Sequence, residues 1–178
     1  LDVSLSQDQI FAIVGPESTG KTTLCFQLSD HFKGQVVPEF SREYLNARMG
    51  RYTQPDLIHI GKQQLLSEQK AASLLQRPIF CDTDILVVLI WQKFKFGKPE
   101  PELHRLFENQ VARKYLLTYP DLPWLADPLR ENEHQLAELF DLYEEQLKSL
   151  NLEYRVIRGT GQERFKNALS AVDQLKLG

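Results

Sequence analysis

The 178-residue chain has two cysteines, one methionine, no internal repeat and no low-complexity stretch. Cys25 and Cys81 each lie within an apolar element, so both read as small buried side chains and not as a disulfide or a metal pair. His31, His59, His104 and His134 are scattered without the spacing of metal ligands. No apolar run approaches the ~20 residues of a membrane helix, which sets membrane partners aside. Basic runs are missing too: 21 Lys and Arg are interspersed with 24 Asp and Glu for a net charge of −3, whereas a nucleic-acid surface shows a basic stripe. With no signal peptide evident, the cytoplasm is the expected compartment. The length suits one domain over 1–178 with a core of its own. The chain opens on Leu1 and not on Met, which leaves room for a preceding domain, and composition does not determine the oligomeric state.

What is present is organised around Ile10 to Leu28, IFAIVGPESTGKTTLCFQL. An apolar, β-branched run breaks at Gly15, loops through Pro16, Glu17, Ser18 and Thr19, and enters an amphipathic helix at Gly20, Lys21, Thr22 and Thr23. Gly15, Gly20, Lys21 and Thr22 fit G-x-x-x-x-G-K-S/T, the P-loop. Backbone N–H groups wrap a polyphosphate only where the chain approaches closely, which glycine permits. The helix then directs the positive end of its dipole at the phosphates. Lys21 reaches the transferring phosphate as a point charge, and the Thr22 hydroxyl ligates magnesium. A site for ATP and Mg2+ formed by Gly15 to Thr23 is therefore the first expectation, against an accidental glycine-rich turn.

Further along, short apolar runs alternate with helical periodicity. Gln9–Val14, Gln35–Val37, Ile79–Cys81, Tyr115–Thr118 and Tyr154–Ile157 read as strands. Helices are expected over Lys21–Phe32, over Glu39–Met49, from Leu86 to Trp91, and over Gln54–Leu75 with Leu57, Ile60, Leu65, Ala72 and Leu75 as its packing stripe. Three more helical pieces carry Leu103 to Val111, Leu136 to Leu150, and Phe165 to Leu175. The charged, proline-punctuated stretch Tyr119–Asn132 fits neither pattern and has the character of a lid or binding loop. Parallel strands need crossover connections, so this alternation predicts an α/β fold, a five-stranded parallel sheet with helices on both faces. In such a sheet ligands sit at the carboxyl ends of the strands.

Asp82 follows the third apolar run as a Walker B carboxylate does, and with Thr22 it forms the expected metal site. The alternative is a helix cap, open equally to Thr83 and Asp84, and Asp84 itself stands between cap and substrate contact. Glu39, after the second strand, can orient an attacking hydroxyl or accept its proton, with Arg42 one helical turn on; an exposed i,i+3 ion pair is the bland alternative. Arg130 can close over the phosphates as an arginine finger supplied in cis, or be an ordinary surface arginine. Gly159 and Thr160 stand where backbone would meet adenine, or simply make a turn. Lys21, Glu39, Asp82 and Arg130 make up the expected catalytic set, with either Glu39 or Asp82 orienting the acceptor hydroxyl or acting as its base.

Taken in order, GPESTGKTTL, VPEFSREYL, FCDTD, PWLADPLRE and YRVIRGTGQER resemble the ribosylnicotinamide kinase domain of NadR-type proteins, a family grouped with AAA-like P-loop proteins, over Gln9 to Arg164. The resemblance implies a P-loop NTPase of nucleoside- or nucleotide-kinase type with a short lid near 119–132. It implies ATP-dependent phosphorylation of the 5′-hydroxyl of nicotinamide riboside to nicotinamide mononucleotide, in NAD salvage. The implied substrate segment contains Glu39, Phe40, Arg42 and Glu43, and the implied substrate contacts are Glu39, Phe40, Arg42, Gln63, Asp82, Asp84, Trp124 and Asp127. Full-length members carry a preceding adenylyltransferase domain. Two positions depart from the pattern. Asp127-Pro128 stands where the family has Asp-Gly, and Pro38 stands where some members have an aromatic residue, which leaves Phe40 to supply an aromatic wall. Two rivals stand beside this reading: a kinase for another nucleoside or nucleotide, and an ATP-gated regulatory module without an acceptor.

Overall fold

The computed structural model describes residues 9–74 and 76–177. Its elements are β1 (Ile10–Val14), α1 (Lys21–Phe32), β2 (Gln35–Val37), α2 (Phe40–Ala47), α3 (Gln54–Ser73), β3 (Ile79–Asp82), α4 (Ile85–Phe96), α5 (Pro101–Glu108), β4 (Lys114–Thr118), α6 (Leu136–Ser149), β5 (Tyr154–Ile157) and α7 (Gly161–Leu177). The strands form one five-stranded sheet in the order β2-β3-β1-β4-β5. Every pairing in it is parallel. Ile13 lies level with Asp82 on one side and Leu116 on the other, so the P-loop leaves the sheet beside the end of β3.

Alternate residues of the central strands serve opposite layers, as a pleated strand dictates. Ile10, Ala12 and Val14 pack with Cys81, Tyr115 and Leu117 against Leu86 and Ile90 of α4 and Phe140, Tyr143 and Leu147 of α6. Phe11, Ile13, Phe80 and Leu116 face Leu24, Cys25 and Leu28 of α1 and Ala168, Val172 and Leu175 of α7. A third cluster, Leu45, Leu57, Ile60, Ile85, Val88 and Leu103, joins α2, α3, α4 and α5 beyond β3. Fully burying one such side chain contributes about 1.5–3 kcal/mol before entropy, so this core, and not strand propensity, holds a strand as short as β2. Both cysteines are free and buried, as expected.

Local signals account for most element ends. In α3, Asp56 accepts the N–H of Thr53 at 2.7 Å and its hydroxyl at 2.6 Å, a capping box. The helix ends at Ser73, and Leu75 lies outside the described residues. Helix α2 is shorter at both ends than expected: Met49 and Gly50 adopt φ of 52° and 76°, and the Gly50 N–H returns to the Leu45 carbonyl, a left-handed stop. Helix α4 runs past Trp91 to Phe96, where Gly97 with φ 66° ends it. No helix among the described residues is long and apolar enough to cross a membrane.

Candidate active site

All five strands deliver their carboxyl ends to one edge, where Gly15, Glu39, Asp82, Tyr119 and Arg158 follow or end β1 to β5. Gly15 has φ 137°, and a Cβ there would lie 2.5 Å from Thr118 Oγ1 and 2.7 Å from the Thr118 carbonyl, so only glycine lets the loop leave the sheet so close to β4. The Thr19 and Thr118 hydroxyls lie 2.7 Å apart, near the carbonyls of Pro16 (2.8 Å) and Val14 (3.0 Å) respectively. Lys21 Nζ donates to the carbonyls of Gly15 (3.0 Å) and Pro16 (2.7 Å), which centres its charge in the loop. Burial lowers the Lys21 pKa, while Glu39, Asp82 and Glu17 act in the opposite direction.

Arg164 at the start of α7 staples this loop to its neighbours. It donates to Thr19 O (2.6 Å), Tyr119 O (3.1 Å), Gly159 O (2.9 Å) and the Asp121 carboxylate (2.5 Å). The other Asp121 oxygen accepts the Gly159 N–H at 2.6 Å. The stretch Tyr119–Asn132 is irregular, as expected, and lies over the P-loop. Ser18 Oγ accepts the Leu125 N–H at 2.9 Å, and Glu17 accepts the N–H groups of both Glu131 and Asn132 at 3.1 Å. Arg130 points back to the Leu125 carbonyl.

Between these parts lies a cavity of ≈ 420 Å³ lined by all the residues from Gly15 to Thr23 together with Glu39, Arg42, Arg130 and Arg164. Its apolar wall is Leu45, Val87, Trp91, Leu129 and Tyr143. Glu39 accepts the Ser41 hydroxyl at 2.7 Å and has Arg42 at 4.0 Å. Arg42 in turn pairs with Asp127 at 3.1 Å. Asp82 is 3% exposed, and its Oδ1 has no hydrogen-bond partner among the described residues. Burial raises its pKa, with the Thr22 hydroxyl opposing and Glu39 adding to the rise. A buried, unpartnered carboxylate oxygen beside a threonine hydroxyl is a donor set suited to a hard divalent cation with water.

Several expected contacts fall elsewhere. Asp84 is fully buried and caps α4 through the Leu86 N–H at 3.0 Å, while its other oxygen accepts the Tyr115 hydroxyl at 3.0 Å; both oxygens are committed away from the cavity. The Phe40 ring packs on Tyr44 and His59 and does not line the cavity, whose aromatic lining is Trp91, stacked on Tyr52 at 5.5 Å, with Tyr143. Gln63 is only half-buried and off the lining, whereas its neighbour Gln64 is buried beneath the site. Trp124 and Asp127 line a separate outer depression with Arg130. At the end of β5 the cavity reaches Gly161 and Arg164, and Gly159 and Thr160 do not line it. Trp91 and Gln64 escaped sequence reasoning, yet Gln64 carried a signal: with Leu57, Ile60, Gly61, Leu65 and Glu68 it shares the buried face of α3.

The strand order and the loop from Gly15 to Thr23 at the end of β1 define a P-loop fold with the architecture of nucleoside and nucleotide kinases. The model of the AAA domain family matches residues 10–164, and the chain belongs to that family. It is similar to the trifunctional NAD biosynthesis/regulator protein NadR of Escherichia coli (strain K12), with 27% identity over 173 residues, covering 92% of this chain and 42% of that protein. The NadR of Salmonella typhimurium is 26% identical over the same share of both chains. The chain thus spans less than half the length of these relatives. Among solved structures, NadR in complex with NR superposes with a TM-score of 0.76 at 20% identity, over 94% of this chain and 50% of that one. Thymidylate kinase from Ehrlichia chaffeensis superposes with a TM-score of 0.64 at 12% identity, over 94% of this chain and 98% of that one. Below a quarter identity, these superpositions establish the shared fold.

Proposed function

We propose that the chain is an ATP-dependent kinase that phosphorylates the 5′-hydroxyl of nicotinamide riboside to give nicotinamide mononucleotide, as one cytoplasmic P-loop domain with 119–132 as its lid. The observation that carries this reading is the convergence of Lys21, Thr22 and Glu39 at one cavity, with the unpartnered Asp82 oxygen buried just behind that lining beside Thr22. The NadR resemblance over 92% of the chain supports the choice of acceptor. So does the lining: Trp91 offers an aromatic face, Glu17 and Glu39 favour a cationic pyridinium, and Arg42 is already paired with Asp127. A phosphorylated acceptor would need an unengaged arginine at that place.

In this mechanism Lys21 and the loop N–H groups hold the β- and γ-phosphates of ATP. Thr22 and Asp82 would hold Mg2+, whose chemistry when bound is to neutralise charge on those phosphates. Glu39 accepts a hydrogen bond from the acceptor hydroxyl and holds it in line. The hydroxyl oxygen forms its bond to the γ-phosphorus, the ADP oxygen leaves with the bonding pair, and the proton passes to Glu39 and then to solvent. Because the transition state is loose, position and charge matter more than base strength. Arg130, on the segment above the P-loop, supplies positive charge from the lid side.

The test is ADP release with ATP, magnesium and a panel of acceptors: nicotinamide riboside, nicotinic acid riboside, deoxynucleosides and nucleoside monophosphates. A preference for the pyridine riboside that disappears in Lys21→Ala supports the proposal. If no acceptor raises ADP release above the rate without acceptor, the kinase reading fails for this chain.

A further inference from the structure

Gln64, near the middle of α3, is 2% exposed, and its amide makes three hydrogen bonds. Its oxygen accepts the Phe40 N–H at 3.0 Å, and its nitrogen donates to the Thr83 carbonyl at 3.4 Å and to Glu68 Oε1 at 3.3 Å. The Phe40 N–H and the Thr83 carbonyl decide which end of the amide is which, since a backbone N–H only donates and a carbonyl only accepts. Glu68 is itself held by Arg113 at 2.6 Å, and Arg113 lies 3.7 Å from Asp84. The clamp is therefore anchored in a buried ion pair.

Both backbone groups that Gln64 holds stand next to residues of the site. Phe40 follows Glu39 and is the first residue of α2, so its N–H has no acceptor within the helix. Thr83 follows Asp82 and sits at φ 68°, a conformation a threonine adopts only when its surroundings hold it there. Its N–H goes to Ile13 O at 3.1 Å, and its carbonyl goes to Gln64. We propose that Gln64 is a positioning residue: it fixes the Glu39 and Asp82 segments relative to one another, while Glu68 and Arg113 keep its amide in one orientation. Its catalytic consequence rests on the kinase reading above, whereas the clamp itself does not.

Amide hydrogen exchange in the unaltered protein tests the clamp without any variant. The Phe40 N–H is expected to be protected despite its place at a helix start, and exchange at the unprotected rate overturns the proposal. Gln64→Met keeps the volume and removes all three hydrogen bonds. In that variant the Phe40 protection should be lost and kcat for the preferred acceptor should fall about tenfold. Affinity for AMP-PNP without metal should stay within about twofold, because the P-loop hangs from β1. A Gln64→Met protein that loses Phe40 protection yet keeps kcat overturns the positioning role. If the unaltered protein phosphorylates no acceptor, the kinase reading has failed separately. The clamp is then judged by the gain in AMP-PNP affinity on adding magnesium, which should shrink in Gln64→Met; an unchanged gain overturns it.

Discussion

Lys21, Asp82 and Trp91 hold the site's charge, its unpartnered carboxylate oxygen and an aromatic face, and each predicts a different kinetic signature. Lys21→Ala removes the one cation in the loop and should lower kcat by about 10²–10³-fold, with the far-UV circular dichroism unchanged. Burial raises the pKa of Asp82, so its carboxylate protonates at a higher pH than a solvated aspartate does. The acid limb of the kcat/KM profile should accordingly be shifted upward from that of a solvated aspartate, and Asp82→Asn should give low activity without that limb. Trp91→Ala should raise the acceptor KM by about tenfold while kcat changes less, measured by the same ADP-release assay. At this scale the sequence pointed to Lys21, Glu39 and Asp82 because P-loop and strand-end chemistry restrict residue type. It misplaced Phe40 and Gln63 and left Asp84 between cap and substrate contact, since side-chain direction depends on helix phase and on neighbours distant in the chain.

The segment from Tyr119 to Asn132 turns at Asp127-Pro128, and the structure gives that turn a physical form. The Arg130 N–H returns to the Asp127 carbonyl at 2.9 Å, and the Leu129 N–H goes to the Asp127 carboxylate at 2.9 Å. This is a β-turn with aspartate first and proline second, positions both residues favour. The same Leu129 bond, together with Arg42, lowers the Asp127 pKa. The proline thus stiffens a turn that points Leu129 to the cavity. Glu17, inside the P-loop, is the other anchor of the segment through the Glu131 and Asn132 N–H groups. Glu17→Ala should speed hydrogen exchange at those two amides and raise the KM for ATP several-fold, by about 1 kcal/mol of lost hydrogen bonding. No local pattern announced this contact, because its partners lie more than a hundred positions apart.

For the molecule as a whole, the buried Glu68–Arg113–Asp84 group makes folding depend on pH. Burial raises the Glu68 pKa from 4.5 to about 7 although Arg113 and Gln64 pull it down, and burial raises that of Asp84 as well. Between about 4.5 and about 7 the folded protein keeps a Glu68 proton that the unfolded chain has released, so stability should fall as pH rises through that window. Urea midpoints across the window should show this slope in the unaltered protein, and the slope should flatten in Glu68→Gln. The sequence by itself determined the alternation of strands and helices, the P-loop and the acid ending β3, because periodicity and spacing are properties of neighbouring residues. Only the tertiary structure decided which glutamine of α3 faces the site, that Asp84 is a buried cap, that Trp91 lines the cavity, and that Arg164 ties three strand ends together. Those outcomes depend on where separate elements meet, and a buried polar side chain takes its orientation from partners that only packing brings within reach.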